Sequence, residues 1–250
     1  MTLPFQIKVC GITSNEDALA TCLAGADAIG LNFYERSARY VEVKTAIEIA
    51  QTVRNYEVSK QACIRLIGVF VDETADRILE IQKLVGLDGI QLHGDENPEF
   101  AKSLMRRLPN CFFVKAIRTR PAMDQNQQPD VNELASVKDR IIAWNPLDVA
   151  ILLDAQVSGE FGGTGKSVNW NLFPLIRNQV GRDLVLAGGL DPWNVGEAIQ
   201  QTGSCSVDVA SGVESVPGTK DTELIEKFVS IAKTAFNDCL DGESGSKGRE

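Results

Sequence analysis

Short apolar runs recur along the chain, each ending in a polar or glycine-rich turn, and segments with a helical spacing of apolar residues lie between them. Eight of these runs predict strands: Ile7 to Cys10, Ala28 to Asn32, Ile64 to Val71, Gly89 to Leu92, Phe112 to Ala116, Val149 to Leu153, Leu184 to Ala187 and Ser206 to Val209. Helices are predicted at Ser14 to Ala24, Val43 to Val53, Thr74 to Leu84, Pro98 to Leu108, Val131 to Ala143, Trp193 to Gln201 and Leu224 to Phe236.

This alternation predicts an α/β fold with a parallel sheet, because near-continuous apolar strands must be covered by the helices that connect them. Eight strand–helix units in about 240 residues fit one closed (β/α)8 TIM barrel. An open doubly wound sheet is the competing fold, and it would carry a glycine-rich phosphate turn after its first strand. The first strand is followed by Cys10-Gly11-Ile12-Thr13, which is not that turn, so the barrel is predicted.

Two stretches do not follow the alternation. Thr119 to Asp130 contains two prolines and a glutamine-rich run, which predicts a long exposed loop before the fifth helix. Residues 241–250 hold glycine, serine and charged residues with nothing to bury, so a disordered C-terminal tail is predicted after a single barrel domain over residues 1–240.

Cys10 stands at the carboxyl end of the first predicted strand, the edge where parallel α/β proteins bind ligands. A cysteine is usually a small buried hydrophobe, and most of the six cysteines here are expected to be that. Lys8 lies two residues earlier, on the same face of the strand, where its ammonium would lower the thiol pKa and favour the thiolate. Cys10 is therefore a candidate for chemistry.

Other predicted strand ends carry polar side chains with two possible roles each. Arg39, in the loop after the second strand, suits carboxylate recognition, although loop arginines are usually just solvated. Asp154 follows the apolar sixth strand, where a carboxyl group could keep a proton and act as a general acid, or simply cap a turn. Asp208, in the eighth strand, could bind sugar hydroxyls or be a buried structural carboxylate.

Glycine-rich turns follow the last two strands, at Gly188-Gly189 and at Ser211-Gly212. In barrels these two loops commonly bind phosphate through backbone amides and a short helix. A further run, Gly162 to Ser167, resembles a nucleotide-binding phosphate loop, but Glu160 stands where that motif requires glycine. A mobile lid over the barrel mouth is predicted there instead.

Composition excludes several classes of protein. The chain has 25 lysines and arginines against 34 acidic residues, a net charge of −9, which argues against a nucleic-acid partner. It has no C-x-x-C pair and a single histidine, His93, so a cysteine–histidine zinc site and a structural metal are not expected. No apolar run is long enough to span a membrane and no secretory leader is recognisable, so a cytoplasmic protein is predicted.

Taken together, the motifs resemble those of the phosphoribosylanthranilate isomerase family of tryptophan biosynthesis, from Ile7 to about Ala235. They are Lys8-Val9-Cys10-Gly11-Ile12-Thr13, Arg36-Ser37-Ala38-Arg39-Tyr40-Val41, Gly68-Val69-Phe70-Val71, Gln91-Leu92-His93-Gly94, Leu152-Leu153-Asp154, Gly162-Gly163-Thr164-Gly165-Lys166, Gly188-Gly189-Leu190, Ser211-Gly212-Val213-Glu214 and Gly218-Thr219-Lys220-Asp221. This chain departs from the family in having Ala210 where a serine is frequent, and in the glutamine-rich insertion after Arg118.

The resemblance implies a TIM barrel that converts N-(5-phosphoribosyl)anthranilate to 1-(2-carboxyphenylamino)-1-deoxyribulose 5-phosphate without a cofactor. It implies that Cys10 is the general base, Asp154 the general acid and Arg39 the clamp on the anthranilate carboxylate. The other substrate-binding residues that it implies are His93, Asp208, Gly188, Gly189, Ser211 and Gly212. The expected partner is this small phosphoribosyl molecule, with no nucleic acid and no membrane, and the expected state is a monomer or weak homodimer.

Two alternatives remain open at this point. One is a related phosphate-sugar isomerase, for instance one acting on an imidazole precursor in histidine synthesis; such enzymes use paired aspartates, one on the first strand, where this chain has Cys10. The other is a barrel that binds a phosphometabolite and regulates a partner without turning it over.

Overall fold

Residues 3–121, 128–155 and 169–245 are described by a computed structural model. Within these residues eight parallel strands close into a barrel in chain order, which confirms the predicted fold. The strands are β1 (Ile7–Cys10), β2 (Ala28–Asn32), β3 (Arg65–Phe70), β4 (Gly89–Leu92), β5 (Phe112–Thr119), β6 (Val149–Ala155), β7 (Val185–Leu186) and β8 (Val207–Val209). The helices are α1 (Asn15–Ala24), α2 (Val43–Lys60), α3 (Ala75–Val85), α4 (Pro98–Arg107), α5 (Val131–Ile142), α6 (Leu172–Val180), α7 (Val195–Thr202) and α8 (Thr222–Gly245).

The turn after β1 shows how local chemistry shapes the edge where the strands end. Gly11 has φ 77°, a left-handed conformation that glycine adopts without steric cost. The side chain of Ser14 then accepts the backbone N–H of Asp17 at 3.1 Å and caps α1. Gly25 ends the same helix, again with positive φ, and returns the chain to β2. The sharp turn at Gly11 keeps Cys10 at the rim of the barrel.

The barrel interior is polar at the rim formed by the carboxyl ends of the strands and apolar further inside. One phenylalanine and eight aliphatic side chains form this apolar layer: Phe5, Ala28, Ile67, Val114, Ala116, Ala150, Leu152, Val185 and Ala187. A larger apolar core lies between the strands and the helices. Because side chains alternate along a strand, Lys8 and Cys10 both point inward, as the sequence predicted. β1 therefore brings a cation and a thiol into the barrel.

An ion pair fixes Lys8 inside the barrel. Its Nζ lies 2.9 Å from Oδ1 of Asp208 on the adjacent strand β8, and Lys8 is fully buried. Burial alone would lower the pKa of Lys8, but the negative charges of Asp208 and of an ionised Cys10 outweigh it, so the pKa lies above its ordinary value. Lys8 therefore remains an ammonium.

Removing this ammonium is expected to destabilise the fold. Lys8→Met would leave the Asp208 charge buried without its partner, a change that typically costs about 3–5 kcal/mol. The double variant with Asp208→Leu replaces the whole pair by apolar groups and should recover most of that loss. Urea denaturation of the three proteins measures the difference, and a loss below about 1 kcal/mol for Lys8→Met would contradict the importance of this pair.

Several boundaries differ from the sequence predictions. The interval between β6 and β7 contains α6, the helix of the sixth predicted strand–helix unit, for which no bounds were predicted; Pro174 lies in its first turn, where a missing N–H costs no helical hydrogen bond. Helix α8 continues to Gly245, so residues 241–245 are helical and not part of the disordered tail predicted from Asp241; no proline interrupts the helix there. The rest of the predicted tail, the predicted lid at Gly162 to Ser167 and most of the glutamine-rich loop lie outside the described residues.

No helix in the part of the chain that the structure describes is both long enough and apolar enough to cross a membrane.

Candidate active site

A cleft of about 560 Å³, partly open to solvent, lies at the carboxyl ends of the barrel strands. Eight of the nine predicted site residues line it: Cys10, Arg39, His93, Asp154, Gly188, Gly189, Asp208 and Ser211. Gly212, the ninth, follows Ser211 in the same loop without lining the cleft. The sequence analysis assigned no role to four further lining residues that bear side-chain chemistry or shape the rim: Asn32, Ser37, Val69 and Gln91. The fold therefore brings together residues that are far apart in the chain.

Cys10 is half-buried in this cleft, at the end of β1. Its register partner is Gly30 on β2, and a Cβ on Gly30 would lie 2.7 Å from the Cys10 Sγ. Only glycine at this position leaves space for the thiol in its present orientation, because contacts that short do not occur between real atoms. Gly30 is thus a residue that sequence reasoning missed; the Ala28 to Asn32 run was assigned only as a strand.

The pKa of the Cys10 thiol is raised, whereas the sequence predicted that Lys8 would lower it. Burial raises the pKa of Cys10 above its ordinary value, and the charge of Asp208 acts in the same direction. The Lys8 and Lys220 ammonium groups lower the pKa, as expected for cations, but do not compensate for burial. Since Lys8 is already paired with Asp208, its effect on Cys10 is partly cancelled.

Asp154 is buried at the end of β6 and is held on both carboxylate oxygens. Oδ1 accepts the backbone N–H of Ala155 at 2.8 Å, and Oδ2 lies 3.2 Å from Nε2 of His93. Gly188 has φ 85°, and a Cβ there would approach the Ala155 nitrogen to 2.7 Å. Gly188 therefore allows the loop after β7 to pass close to Asp154, in addition to any role in phosphate binding.

His93 is buried between Asp154 and Gln91. The side-chain nitrogen Nε2 of Gln91 lies 2.9 Å from Nδ1 of His93, which links the ring to β4. Gln91 is itself fully buried on β4. Gln91, His93 and Asp154 thus lie in contact in this order at the rim, whereas His93 was predicted only to bind the substrate.

Asp208 faces the cleft from β8 while pairing with Lys8. Burial raises the pKa of Asp208, and the nearby charge of Asp154 adds to this, whereas Lys8 and His93 act in the opposite direction. The structural role weighed from the sequence is thus present, since the carboxylate belongs to a buried ion pair; Asp208 also lines the cleft, and its binding to sugar hydroxyls stays a prediction.

Arg39 reaches the cleft from the loop after β2 and is held by a partner from the loop after β8. Its Nε and Nη2 atoms each donate to one carboxylate oxygen of Glu214, both at 2.7 Å. The stem of Arg39 passes over Gly11, where a Cβ would lie 2.5 Å from the Arg39 Cδ. The solvated loop arginine weighed from the sequence is therefore not what the fold contains, since the side chain is largely buried.

Glu214 begins a short hairpin, β9 (Glu214–Val216) and β10 (Thr219–Lys220), that follows β8. Lys220 donates through Nζ to Glu214 Oε1 and to the carbonyl of Ala210, both at 2.9 Å. Burial alone would raise the pKa of Glu214, but the hydrogen bonds and charges of Arg39 and Lys220 lower it below its ordinary value. Both residues belong to motifs that the chain shares with the isomerase family, but neither was predicted to be part of the site. Their presence in these motifs is the one feature of the sequence that could have pointed to them.

The loops after β7 and β8 close one side of the cleft. Gly188 and Gly189 both have positive φ, and a 3₁₀ turn, Ser211–Val213, follows β8. A Cβ on Gly212 would collide with the carbonyl group of Leu190, so the two loops pack backbone against backbone. Such glycine-rich turns can present amide groups to an anion.

The described residues contain no group of three or more histidine, cysteine or carboxylate side chains placed to hold a metal ion. The site thus consists of a thiol, a carboxyl group with its histidine, and a guanidinium around one cleft. A family model described as N-(5'phosphoribosyl)anthranilate (PRA) isomerase matches residues 7–231. The chain belongs to this family.

Individual phosphoribosylanthranilate isomerases agree with this assignment. The enzyme of that name from Thermotoga neapolitana is 38% identical over 228 residues, which cover 91% of this chain and 98% of the relative. The solved structure of the Thermotoga maritima isomerase has a TM-score of 0.74 and 33% identity, covering 92% of this chain and 99% of that one. A structure of a phosphoribosyl anthranilate isomerase in complex with reduced 1-(o-carboxyphenylamino)-1-deoxyribulose 5-phosphate has a TM-score of 0.72, with the same identity and coverage.

Membership of the phosphoribosylanthranilate isomerase family confirms the resemblance found in the motifs and identifies the chain as an enzyme. It favours this isomerase over the related sugar isomerase and over a regulator without turnover. The roles of individual residues in the cleft remain predictions.

Proposed function

We propose that this chain converts N-(5-phosphoribosyl)anthranilate to 1-(2-carboxyphenylamino)-1-deoxyribulose 5-phosphate, a step of tryptophan biosynthesis, with Cys10 as general base and Asp154 as general acid. The observation that carries this proposal is the single cleft in which Cys10, Asp154 and Arg39 meet, in a chain of the isomerase family. The reaction only redistributes hydrogen and bonds within one molecule, so one acid and one base are sufficient.

The first step opens the ribose ring. The Asp154 carboxyl group gives its proton to the ring oxygen while the bond between this oxygen and C1 breaks. The lone pair of the anthranilate nitrogen then forms a C1=N bond, which leaves a positively charged imine and an Asp154 carboxylate. The backbone N–H of Ala155 donates to Asp154 Oδ1 at 2.8 Å and so orients the carboxyl group before substrate binds, and Nε2 of His93 lies 3.2 Å from Oδ2.

The second step moves the double bond. The Cys10 thiolate takes the proton from C2, and the electrons of that C–H bond form a C1=C2 bond that neutralises the imine. The resulting enaminol gains at C1 the proton held by the Cys10 thiol and returns the proton of its C2 hydroxyl group to the Asp154 carboxylate, which gives the aminoketone product and restores both residues. β7 and β8 separate β1 from β6 around the barrel, so Cys10 and Asp154 approach the sugar from different sides.

Binding groups are arranged around these two residues. Arg39 is proposed to bind the anthranilate carboxylate, because a planar guanidinium suits a carboxylate. The loops with Gly188, Gly189, Ser211 and Gly212 are proposed to bind the phosphate through backbone amides. Asp208 and His93 are proposed to contact the sugar from the rim of the cleft that they line.

The direct test uses the fluorescence of the anthranilate group. With purified protein and freshly formed substrate, we expect a decay of the substrate signal in proportion to enzyme concentration, and competitive inhibition by inorganic phosphate because it occupies the phosphate loops. A titratable binding signal without turnover would contradict the proposal. An aminoimidazole-bearing phosphoribosyl substrate is the matched comparison, and faster turnover of that compound would favour the related sugar isomerase.

The small phosphoribosyl molecule is thus the proposed partner of the cleft. A monomer or weak homodimer and a cytoplasmic location remain predictions from the sequence.

A further inference from the structure

The carboxylate of Glu214 is buried under unusual electrostatic conditions. Its side chain is 4% exposed, and it accepts hydrogen bonds from Arg39 and Lys220, whose side chains are also largely or fully buried. Taking charges out of water is costly, and buried charges are therefore normally balanced. Here two cations share one carboxylate, so the cluster of Arg39, Glu214 and Lys220 keeps one positive charge at the rim of the cleft.

Other charges lie beside the cluster. Lys8 and Asp208 form a buried ion pair inside the barrel, and Oδ2 of Asp17 accepts the backbone N–H of Lys220 at 3.3 Å. The contribution of Glu214 to the cleft is therefore the place it gives to the Arg39 guanidinium, not a net charge.

Contacts to the backbone, the aliphatic stem and the guanidinium nitrogens together restrain the position of the Arg39 side chain. Ser37 Oγ accepts the backbone N–H of Arg39 at 3.1 Å and also accepts from Asn32 Nδ2 at 3.1 Å, which ties the loop to the end of β2. Gly11 leaves space for the aliphatic stem. Glu214 then binds Nε and Nη2, and because the guanidinium is planar, fixing two of its nitrogens fixes the direction of the third.

Glu214 is in turn restrained from the opposite side. Lys220 donates to its Oε1 and to the carbonyl of Ala210, which joins the hairpin to the loop after β8. Thr13 Oγ1 donates to the carbonyl of Gly218 at 2.6 Å and ties the same hairpin to the turn after β1. The hairpin thus connects the element that carries Cys10 with the residue that holds Arg39.

We propose that Glu214 is a positioning residue that sets the specificity of the reaction. By holding Arg39 in one orientation, it makes the cleft select substrates that carry a carboxylate on the aromatic ring. This inference rests on the proposed function, since it assumes that Arg39 meets the anthranilate carboxylate. A purely structural role, in which Glu214 only fastens the hairpin, would affect all substrates alike.

The test compares two substrates, N-(5-phosphoribosyl)anthranilate and N-(5-phosphoribosyl)aniline, which lacks the carboxylate. Glu214→Gln keeps the volume of the side chain but replaces one carboxylate oxygen by an amide N–H₂ group, which would face Arg39 or Lys220. The side chain can then no longer accept hydrogen bonds from Arg39 on both of its terminal atoms. We expect kcat/KM for the anthranilate substrate to fall about 10- to 100-fold, mainly through KM, as for the loss of hydrogen bonds between charged groups. For the aniline substrate kcat/KM should fall much less. The preference for the carboxylate, which is the ratio of kcat/KM for the anthranilate substrate to that for the aniline substrate, therefore falls.

Three further variants make the result specific. Glu223→Gln, an exposed residue in the first turn of α8, should keep the wild-type preference. Arg39→Ala should lower the preference at least as much as Glu214→Gln. The double variant of Arg39 and Glu214 should lower it no further than Arg39→Ala alone, because the two residues act as one unit.

Each outcome has a definite meaning. Equal losses on the two substrates in Glu214→Gln, or an unchanged preference, would overturn the inference while leaving the proposed function in place, provided that Arg39→Ala still lowers the preference. No turnover of the anthranilate substrate by the wild-type protein would overturn the proposed function and the inference with it. If Glu214→Gln fails to fold, Glu214→Asp is measured in the same way: its carboxylate is too short to reach both nitrogens, so a lowered preference supports the inference and an unchanged one overturns it.

Discussion

Replacing Asp154 by asparagine is expected to lower kcat/KM by about 10²- to 10⁴-fold, the range typical for removing a general acid. An amide cannot give a proton to the ring oxygen, so ring opening would depend on water. The fold should survive, because the amide oxygen can still accept the N–H of Ala155 at the end of β6. The loss should appear in kcat as well as in kcat/KM, because the missing interaction is made in the transition state. Steady-state kinetics by anthranilate fluorescence measures it.

The substituted side chain would keep its place beside His93, whose Nε2 lies 3.2 Å from Oδ2 of Asp154. Asp183→Asn is the matched control, since Asp183 is exposed and lies away from the cleft. A kcat/KM for Asp154→Asn within tenfold of the wild type would contradict the assignment of the general acid.

Replacing Cys10 by alanine is expected to lower turnover by several hundredfold or more, because no other thiol lines the cleft among the described residues and the C2 proton then has no strong base. Stability should change little, since the half-buried Sγ faces Gly30 at the rim rather than the apolar core. Cys63→Ala is the control, because Cys63 is exposed. Wild-type rates in Cys10→Ala would contradict the assignment of the general base.

The protonation of Cys10 gives an independent check. Its pKa is raised above the ordinary value of 9.0 by burial, and only the thiolate reacts with iodoacetamide. Alkylation of Cys10 in the unliganded protein should therefore increase as the pH rises, with a midpoint above 9.0. Peptide mass spectrometry follows Cys10 apart from the other cysteines. A midpoint below that of a free thiol would show that Lys8 and Lys220 outweigh burial after all.

The alternation of apolar runs and helical segments was enough to predict the barrel, because in a closed parallel sheet every strand is covered on both faces and keeps a recognisable apolar character. β1, β2 and β4 have the predicted bounds, since glycine or polar residues end them sharply. The bounds of α6 were not predicted, because its local sequence, with Pro174 in the first turn, does not distinguish a helix start from a loop.

The candidate site was predicted to a similar degree. Cys10, Arg39 and Asp154 could be identified because each follows a predicted strand or is part of a family motif, and the barrel topology places all strand ends on one rim. The motifs also contained Glu214 and Lys220, but spacing along the chain carries no information on which side chains meet across the cleft.

What depended on the folded structure was the pairing of charges and the burial of each group. Lys8 was expected to activate Cys10, yet it is committed to Asp208 from the neighbouring strand, and burial outweighs its effect on the thiol. Arg39 was predicted to bind the substrate carboxylate, yet its Nε and Nη2 atoms already donate to the carboxylate of Glu214. Electrostatic energies depend on distances and on exclusion of water, and both arise only when distant parts of the chain pack together. The sequence therefore predicted which groups would come together at the barrel rim, while tertiary packing decided their burial, their charge partners and their orientation.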